Sequence, residues 1–138
     1  MLCLCLEVDL AAVLAAARAV AERGPAHLVV TLGARGAVAL ALAESGTTRV
    51  HRAPAPRVSA VDTTGCGDAF LGALAHRLAS GDDIAAASRF AVQVGAFAAT
   101  RPGAQASYPT PDELQRFTST KKHRSESRGK RAIPADTP

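Results

Sequence analysis

The chain has 138 residues, of which 48% are hydrophobic and 4% aromatic, and a formal net charge of +4. This length accommodates one domain with its own hydrophobic core, and three cysteines are too few for a disulfide framework. No segment approaches the roughly 18 uncharged apolar residues of a membrane-spanning helix, so we predict a cytoplasmic protein without a membrane partner.

The positive charge is confined to the end of the chain. Residues 1–117 contain ten arginines, no lysine and ten acidic residues, whereas residues 118–138 contain six basic and two acidic residues. No aromatic residue lies among the basic residues of this tail. That composition favours a solvated, disordered basic tail at 118–138 over a nucleic-acid contact, so we predict no nucleic-acid partner.

The periodicity of apolar residues predicts a helix and then strands in the first half of the chain. The helix is expected from Asp9, a suitable N-cap residue, to about Arg23. Short apolar or alternating runs separated by glycine-containing turns predict strands at residues 27–32, 37–43 and 47–52. A further short strand is expected at 58–61, after an extended connector that contains two prolines.

The second half of the chain has the patterns of helices. One helix is expected at residues 67–79, a second from a cap at Asp82 or Asp83 to about residue 99, and a short third at 112–117. Beyond residue 117 no apolar period remains. This order of elements predicts an α/β fold in which part of a sheet packs between helices.

The segment with the most chemical information is residues 62–68, which read Asp-Thr-Thr-Gly-Cys-Gly-Asp just before an expected helix. Two glycines around one small residue allow a tight turn with unpaired N–H groups at a helix start, where the dipole adds about half a positive charge. Such a turn can bind an anion, most often a phosphate. With the carboxylate of Asp68 beside it, the turn suits phosphoryl transfer to a hydroxyl. A glycine-rich loop with a purely structural carboxylate is the alternative.

This segment resembles the second signature of the ribokinase-like (PfkB-type) carbohydrate kinases, Asp-Thr-x-Gly-Ala-Gly-Asp-x-Phe. Residues 29–36 resemble that family's nucleotide-binding strand and turn, and residues 89–91 and 99–107 resemble its ribokinase branch. The resemblance covers about residues 9–117, with an atypical segment at 1–8. It implies a partial ribokinase-like α/β/α layer fold that corresponds to the C-terminal half of such a kinase.

The resemblance also implies roles for individual residues. Asp68 is expected to be the general base and a substrate contact, with an anion hole made by the backbone N–H groups of Gly65, Cys66 and Gly67. Cys66 stands where the family usually has alanine. The residues expected to bind the nucleotide are Thr31, Leu32, Gly33, Ala34, Arg35, Gly36, Gly67, Asp68 and Val92. The residues expected to hold K⁺ are Asp62, Thr64, Ala98, Arg101, Gly103 and Ser107.

The function implied by the resemblance is transfer of the γ-phosphoryl group of ATP to the 5-hydroxyl of D-ribose, with ATP, Mg²⁺ and K⁺ as cofactors. The isolated chain is expected to have little or no turnover, because the family's sugar-binding residues and Mg²⁺-organising motif belong to its first half. An intact family member is expected to be a homodimer. Two alternatives stay open: another sugar or nucleoside kinase, resembling fructokinase or adenosine kinase, and an inert nucleotide-binding fragment.

Overall fold

The computed structural model describes residues 10–21, 26–42 and 48–129. It divides the chain into two compact units, Met1–Tyr108 and Pro109–Pro138. The helices and strands of the first unit are α1 (Leu10–Ala21), β1 (His27–Thr31), β2 (Ala37–Leu42), β3 (Thr48–Ala53), α2 (Cys66–Ala79) and α3 (Ile84–Ala98). Short 3₁₀ turns occur at Gly33–Arg35 and Gln105–Ser107. This α/β arrangement is the one predicted from the sequence, although Asp9 and the turns at 22–25 and 43–47 lie outside the described residues.

The three strands form an antiparallel sheet in the order β1-β2-β3. Val30 pairs with Val38 and Ala37 pairs with Ala53. Because β2 is the central strand, its backbone groups are paired on both sides, and its apolar side chains cover both faces of the sheet.

Each face of the sheet packs against helices. Val38 and Leu40 lie on one face in a cluster with Ala17 of α1. Ala39 lies on the other face, in a cluster that includes Phe70 of α2. The alternation follows from the two-residue period of a strand. The sheet is therefore sandwiched between α1 and the pair α2 and α3, and burial of a side chain such as Leu40 contributes about 1.5–3 kcal/mol.

Helices α2 and α3 form a hairpin that is fixed at its turn. Arg77 forms a 2.6 Å ion pair with Asp82 and lies over the ring of Phe90. Asp83 accepts a 2.6 Å hydrogen bond from the backbone N–H of Ala86, as expected of an N-cap residue. This bond lowers the pKa of the Asp83 carboxyl. The hairpin brings the start of α2 next to the end of α3, where the candidate site lies.

The strand predicted at residues 58–61 is wrong. Residues 54–60 have no regular secondary structure, and at the end of this connector the backbone N–H of Val61 donates a 2.7 Å hydrogen bond to the Ala99 carbonyl. Pro54 and Pro56 have no N–H to donate to a ladder, which disfavours a β-strand in this connector. At Val61 the connector therefore bonds to the residue that follows α3, and not to a neighbouring strand.

The second unit contains α4, which spans Pro111–Gly129. The helix expected at 112–117 is longer than predicted, because the structure continues it to Gly129; residues 130–138 lie outside the described ones. Thr110 and Glu113 form a capping box in which the Thr110 N–H donates to the Glu113 carboxylate at 2.8 Å. Helix-favouring Glu, Lys and Arg residues then extend the helix without an apolar stripe. In the part of the chain that the structure covers, no helix is both long and apolar enough to cross a membrane.

Gly36→Ala tests how tightly the turn before β2 packs. Gly36 has φ +92°, and an added Cβ would overlap the Ala53 carbonyl oxygen and lie 2.6 Å from the Ala55 nitrogen. Because both neighbours are backbone atoms, we expect the substitution to lower the free energy of unfolding by about 3 kcal/mol or more.

Gly81→Ala is the matched control for this measurement. Gly81 has the same φ of +92°, but no atom lies within 4 Å of an added Cβ. Its free energy of unfolding should fall only by the cost of placing alanine in the left-handed conformation, about 1 kcal/mol. Urea unfolding followed by circular dichroism measures both variants, and equal losses would contradict the packing argument.

Candidate active site

The centre of the candidate site is the anion turn, residues 62–68, which runs directly into α2. Gly65 is the N-cap residue and lies in the left-handed region with φ +74°. An added Cβ at Gly65 would lie 2.9 Å from the Cα of Ala104 and 3.2 Å from the hydroxyl of Tyr108. Both the backbone conformation and the available space therefore require glycine here.

The backbone amides of the anion turn fall into two groups. The N–H of Thr64 donates to the Asp62 carboxylate at 2.8 Å, and the N–H of Cys66 donates to the Thr63 carbonyl at 3.2 Å. The amides of Gly65, Gly67 and Asp68 have no acceptor among residues 10–21, 26–42 and 48–129. These are the donors that the turn can offer to an anion.

Two expectations about these amides need correction. The amide of Cys66 was expected to be an unpaired donor of the anion hole, but it closes the turn by bonding to Thr63. The amide of Asp68 was not included in that hole, yet it is unpaired in the described structure, because it lies in the first turn of α2 where no intrahelical acceptor exists.

Asp68 combines this amide with an exposed side chain. It is the acidic residue in the first turn of α2. Its carboxylate has no hydrogen-bond or ion-pair partner among the residues that the structure describes. A solvated carboxylate beside unpaired amides can accept a hydrogen bond from the hydroxyl of a bound ligand.

The Asp62 carboxylate ties the anion turn to the segment that follows α3. One of its oxygens accepts the N–H of Thr64 and the other accepts the N–H of Gly103, both at 2.8 Å. These bonds, that of Thr64 first, lower the pKa of the Asp62 carboxyl. The Ala99 carbonyl accepts the N–H groups of Val61 and Asp62 at 2.7 and 3.3 Å.

The Cys66 side chain faces the interior of this turn. Its thiol is half-buried and donates a 3.8 Å hydrogen bond to the Asp62 carbonyl. Burial, and then the charge of Asp62, raise the pKa of the Cys66 thiol. The thiol is therefore held neutral, and a side chain of this size fits where the family pattern has alanine.

The segment expected to bind the nucleotide begins at the end of β1. Gly33, Ala34 and Arg35 are exposed, and the N–H of Leu32 closes the turn by donating to the Gly36 carbonyl at 2.7 Å. Thr31 is half-buried at the end of the strand.

Two of the expected nucleotide-binding residues are buried instead. Gly36 packs against the backbone at the end of β3, and Val92 is only 5% exposed in the cluster that contains Ala37 and Phe70. Ala37 directly follows Gly36, and Phe70 comes two residues after Asp68. The two candidate segments therefore extend from one hydrophobic cluster.

Five of the six residues expected to hold K⁺ lie on the two segments that Asp62 joins. The sixth, Ala98, is the last residue of α3, and its carbonyl accepts the N–H of Arg101 at 3.2 Å. The carbonyls of Thr64 and Gly103 accept no hydrogen bond from a described residue. The Ser107 hydroxyl is fully buried and donates to the Ala104 carbonyl at 2.6 Å, which leaves its lone pairs available. A set made mainly of carbonyl oxygens suits a large, weakly hydrated monovalent cation. The described residues contain no cluster of three His, Cys, Asp or Glu side chains for a metal ion.

Sequence reasoning missed Tyr108. Its hydroxyl lies 3.3 Å from the Gly65 carbonyl, although 43 residues separate the two in the chain. The only sequence sign is that the single tyrosine of the chain directly follows Ser107. The residue thus joins the segment after α3 to the anion turn a further time.

Comparison with known proteins identifies the family. The model of the pfkB family carbohydrate kinases matches residues 2–111, which confirms the resemblance drawn from the sequence. Deoxyribokinase of Salmonella typhimurium is 40% identical over 105 residues, which are 76% of this chain and 33% of that protein. Ribokinase of Mus musculus is 40% identical over 104 residues, 72% of this chain and 30% of that protein. The chain thus spans about a third of the length of the curated relatives it matches.

Solved structures confirm the partial ribokinase-like fold. Aminoimidazole riboside kinase from Salmonella enterica, in complex with aminoimidazole riboside and an ATP analogue, matches with a TM-score of 0.68 and 37% identity over 77% of this chain and 36% of that chain. Phosphofructokinase-2 from Escherichia coli, in complex with potassium, matches with a TM-score of 0.66 and 25% identity over 83% of this chain and 35% of that chain.

Asp62→Asn tests the tie between the two segments. The folded-state pKa of Asp62 is below its ordinary value of 3.8. The carboxylate therefore stabilises the fold above pH 3.8, and this stabilisation is lost as the pH falls through the lower folded-state value. We expect Asp62→Asn to be less stable than the wild type at pH 7, because an amide NH₂ would face one of the two backbone donors.

The stability gap between Asp62→Asn and the wild type should narrow as the pH falls from 5 to 3. Asp68→Asn is the control, because its carboxylate accepts no hydrogen bond within the described part of the chain; its stability loss at pH 7 should be smaller. Urea unfolding at a series of pH values measures both variants. If the difference in stability between Asp62→Asn and the wild type is the same at pH 7 and pH 3, the ionised carboxylate of Asp62 is not what ties the two segments together.

Proposed function

Since this chain belongs to the pfkB family of carbohydrate kinases, we propose that it carries the catalytic end of an enzyme that transfers the γ-phosphoryl group of ATP to a sugar hydroxyl. The observation that carries this proposal is the meeting, at the start of α2, of unpaired backbone amides with the exposed carboxylate of Asp68. Phosphoryl transfer needs both parts: donors for the charge on the moving group and an acceptor for the hydroxyl proton.

The amides of Gly65, Gly67 and Asp68 would bind the oxygens of the moving phosphoryl group. They belong to a turn whose shape is fixed before any ligand binds, so little reorganisation is needed at the moment of transfer. Removal of one such donor typically costs about 10²–10³ in rate. The positive end of the α2 dipole adds to the attraction.

The Asp68 carboxylate would accept the proton of the attacking hydroxyl. Its exposed position allows a substrate to approach it, and its place in the first turn of α2 puts it beside the amides that hold the phosphoryl group. General-base action of this kind contributes about 10²–10⁴ in rate.

ATP would contact the turn after β1. The exposed residues Gly33, Ala34 and Arg35 and the end of β1 at Thr31 are the surface that a nucleotide can reach. Gly36 and Val92 are buried and would support this surface through the packing beneath it. The complex of aminoimidazole riboside kinase with an ATP analogue supports this assignment, because the match to that structure covers 77% of this chain.

K⁺ would be held by the carbonyls of Thr64, Ala98, Arg101 and Gly103 together with Asp62 and Ser107. The ion would supply positive charge beside the anion turn, and the potassium complex of the E. coli phosphofructokinase-2 supports its assignment. Asp62 already joins the two segments that carry these oxygens. The described residues offer no side-chain cluster for Mg²⁺, so we assign it no ligands here.

For the acceptor we propose the 5-hydroxyl of D-ribose. The relatives include a deoxyribokinase, a ribokinase and an aminoimidazole riboside kinase. Their names share a ribose or deoxyribose unit, which favours a pentose or a riboside over a hexose. We further propose a cytoplasmic enzyme, with a homodimer as its state when a complete kinase fold is present.

Transfer of ³²P from γ-labelled ATP tests the reaction and its base. We expect ribose to be labelled faster than fructose or adenosine, at a slow absolute rate. Asp68→Asn should lower labelling by 10²–10⁴-fold, while equilibrium dialysis should give an ATP affinity within about threefold of the wild type, because the carboxylate takes part in chemistry rather than nucleotide binding.

Two outcomes would count against this reaction. Labelling by the wild type above the enzyme-free background that is equalled by Asp68→Asn would remove the base assignment. ATP retention without any labelling would favour the inert nucleotide-binding fragment.

Replacement of NaCl by KCl at constant ionic strength tests the cation site. We expect KCl to strengthen ATP binding and to speed labelling, because the carbonyl set suits the larger, more weakly hydrated ion. Asp62→Asn should reduce this difference. Identical binding and labelling in the two salts would contradict the assignment.

A further inference from the structure

The segment at residues 99–108 holds the anion turn at three separate points. The Ala99 carbonyl accepts two N–H groups at the start of the turn, and the Gly103 N–H reaches the Asp62 carboxylate. The third point is the Tyr108 hydroxyl at the Gly65 carbonyl. Of the three groups that this segment supplies, only the last belongs to a side chain, so it can be removed without a change to the backbone.

The Tyr108 hydroxyl acts on a peptide unit that is held at both ends. The Gly65 carbonyl accepts the N–H of Ala69 at 2.9 Å and the Tyr108 hydroxyl at 3.3 Å. The N–H of the same peptide unit, that of Cys66, donates to Thr63 at 3.2 Å. Because a peptide unit is planar, fixing its carbonyl also fixes its N–H. The next two amides along the chain, those of Gly67 and Asp68, are donors with no acceptor in the described structure.

The geometry of the contact between the Tyr108 hydroxyl and the Gly65 carbonyl suits a role in orienting the turn, and not a large contribution to stability. A distance of 3.3 Å is longer than the usual 2.5–3.0 Å of an O–H···O bond, so its direct contribution to stability is small. The hydroxyl also occupies space, since it would lie 3.2 Å from a Cβ at Gly65. Tyr108 is itself half-buried, and its N–H donates to the Gln105 carbonyl at 3.2 Å, which fixes the backbone that carries the ring.

We propose that Tyr108 is a positioning residue of the anion turn. Its hydroxyl holds the Gly65–Cys66 peptide in the orientation that presents the amides of Gly67 and Asp68 to a phosphate group. This role rests on the proposed function in one respect, namely that these amides bind the phosphates of ATP. Its hold on the turn itself is independent of that function.

The Cys66 thiol is a local reporter of the turn, because it bonds to the Asp62 carbonyl within it. The protein is prepared with Cys3→Ser and Cys5→Ser so that Cys66 is the single thiol, and its reaction with a disulfide reagent is timed. We expect Tyr108→Phe to raise this rate about fivefold or more. Thr100→Val is the matched control: it removes a hydroxyl of the same segment that donates to the Phe97 carbonyl of α3 and not to the anion turn, so it should leave the rate unchanged.

Equilibrium dialysis with ATP on the same proteins adds the functional readout. Tyr108→Phe should weaken ATP binding about three- to tenfold, and any labelling of ribose should fall in kcat with an unchanged KM for the sugar. An unchanged thiol rate in Tyr108→Phe overturns the proposal. A faster thiol rate with unchanged ATP affinity also overturns it. Failure of the wild type to bind ATP overturns the proposed function. In that case the rate of the thiol reaction alone shows whether Tyr108 holds the anion turn in place.

A measurement on the wild type keeps the proposal testable if Tyr108→Phe does not fold. The chain contains one tyrosine and no tryptophan, so its ultraviolet emission reports on Tyr108. Inorganic pyrophosphate, which does not absorb at the excitation wavelength, should change this emission as it binds. Binding of pyrophosphate by dialysis with no change in emission would overturn the proposal.

Discussion

The candidate site depends on one carboxylate that accepts two backbone amides from distant parts of the chain. Asp62 bonds to Thr64 within its own turn and to Gly103, which is 41 residues away. Further hydrogen bonds between the anion turn and the segment after α3 are accepted by the Ala99 carbonyl and donated by the Tyr108 hydroxyl. The unpaired amides and the proposed cation ligands therefore derive their positions from the same two hydrogen bonds.

The hydrophobic core supplies the rigid base on which this turn stands. Phe70, in the second turn of α2, lies in the cluster that includes Ala37 and Val92. Gly95 of α3 lies beside the start of α2, where an added Cβ would come within 3.2 Å of the Cys66 carbonyl. Unpaired amides reduce stability unless water or a ligand bonds to them, and a site that presents them needs such external support.

Local patterns in the sequence predicted most of the fold, and non-local contacts account for the errors. The apolar periods of α2 and α3 and the glycine turn between β1 and β2 are properties of short segments, so they were found. Whether residues 58–61 form a strand depends on which distant part of the chain they contact, and short sequence patterns do not show this. The contact of Tyr108 with Gly65 likewise joins residues 43 positions apart. The length of α4 was missed because residues 118–129 have no apolar period, and the capping box of Thr110 and Glu113 marks only where the helix begins. The internal bond of the Cys66 amide depends on backbone angles that glycine spacing does not define.

The central claim is that the amides of Gly67 and Asp68 at the start of α2 bind a phosphate group. The most direct test is titration of the ¹⁵N-labelled protein with inorganic pyrophosphate, observed through its backbone amide resonances. The account predicts that the largest shifts occur at Gly65, Gly67 and Asp68, with a smaller shift at Cys66, whose amide is already bonded to Thr63. Saturable binding that shifts amides elsewhere and leaves those of Gly67 and Asp68 unchanged would contradict it.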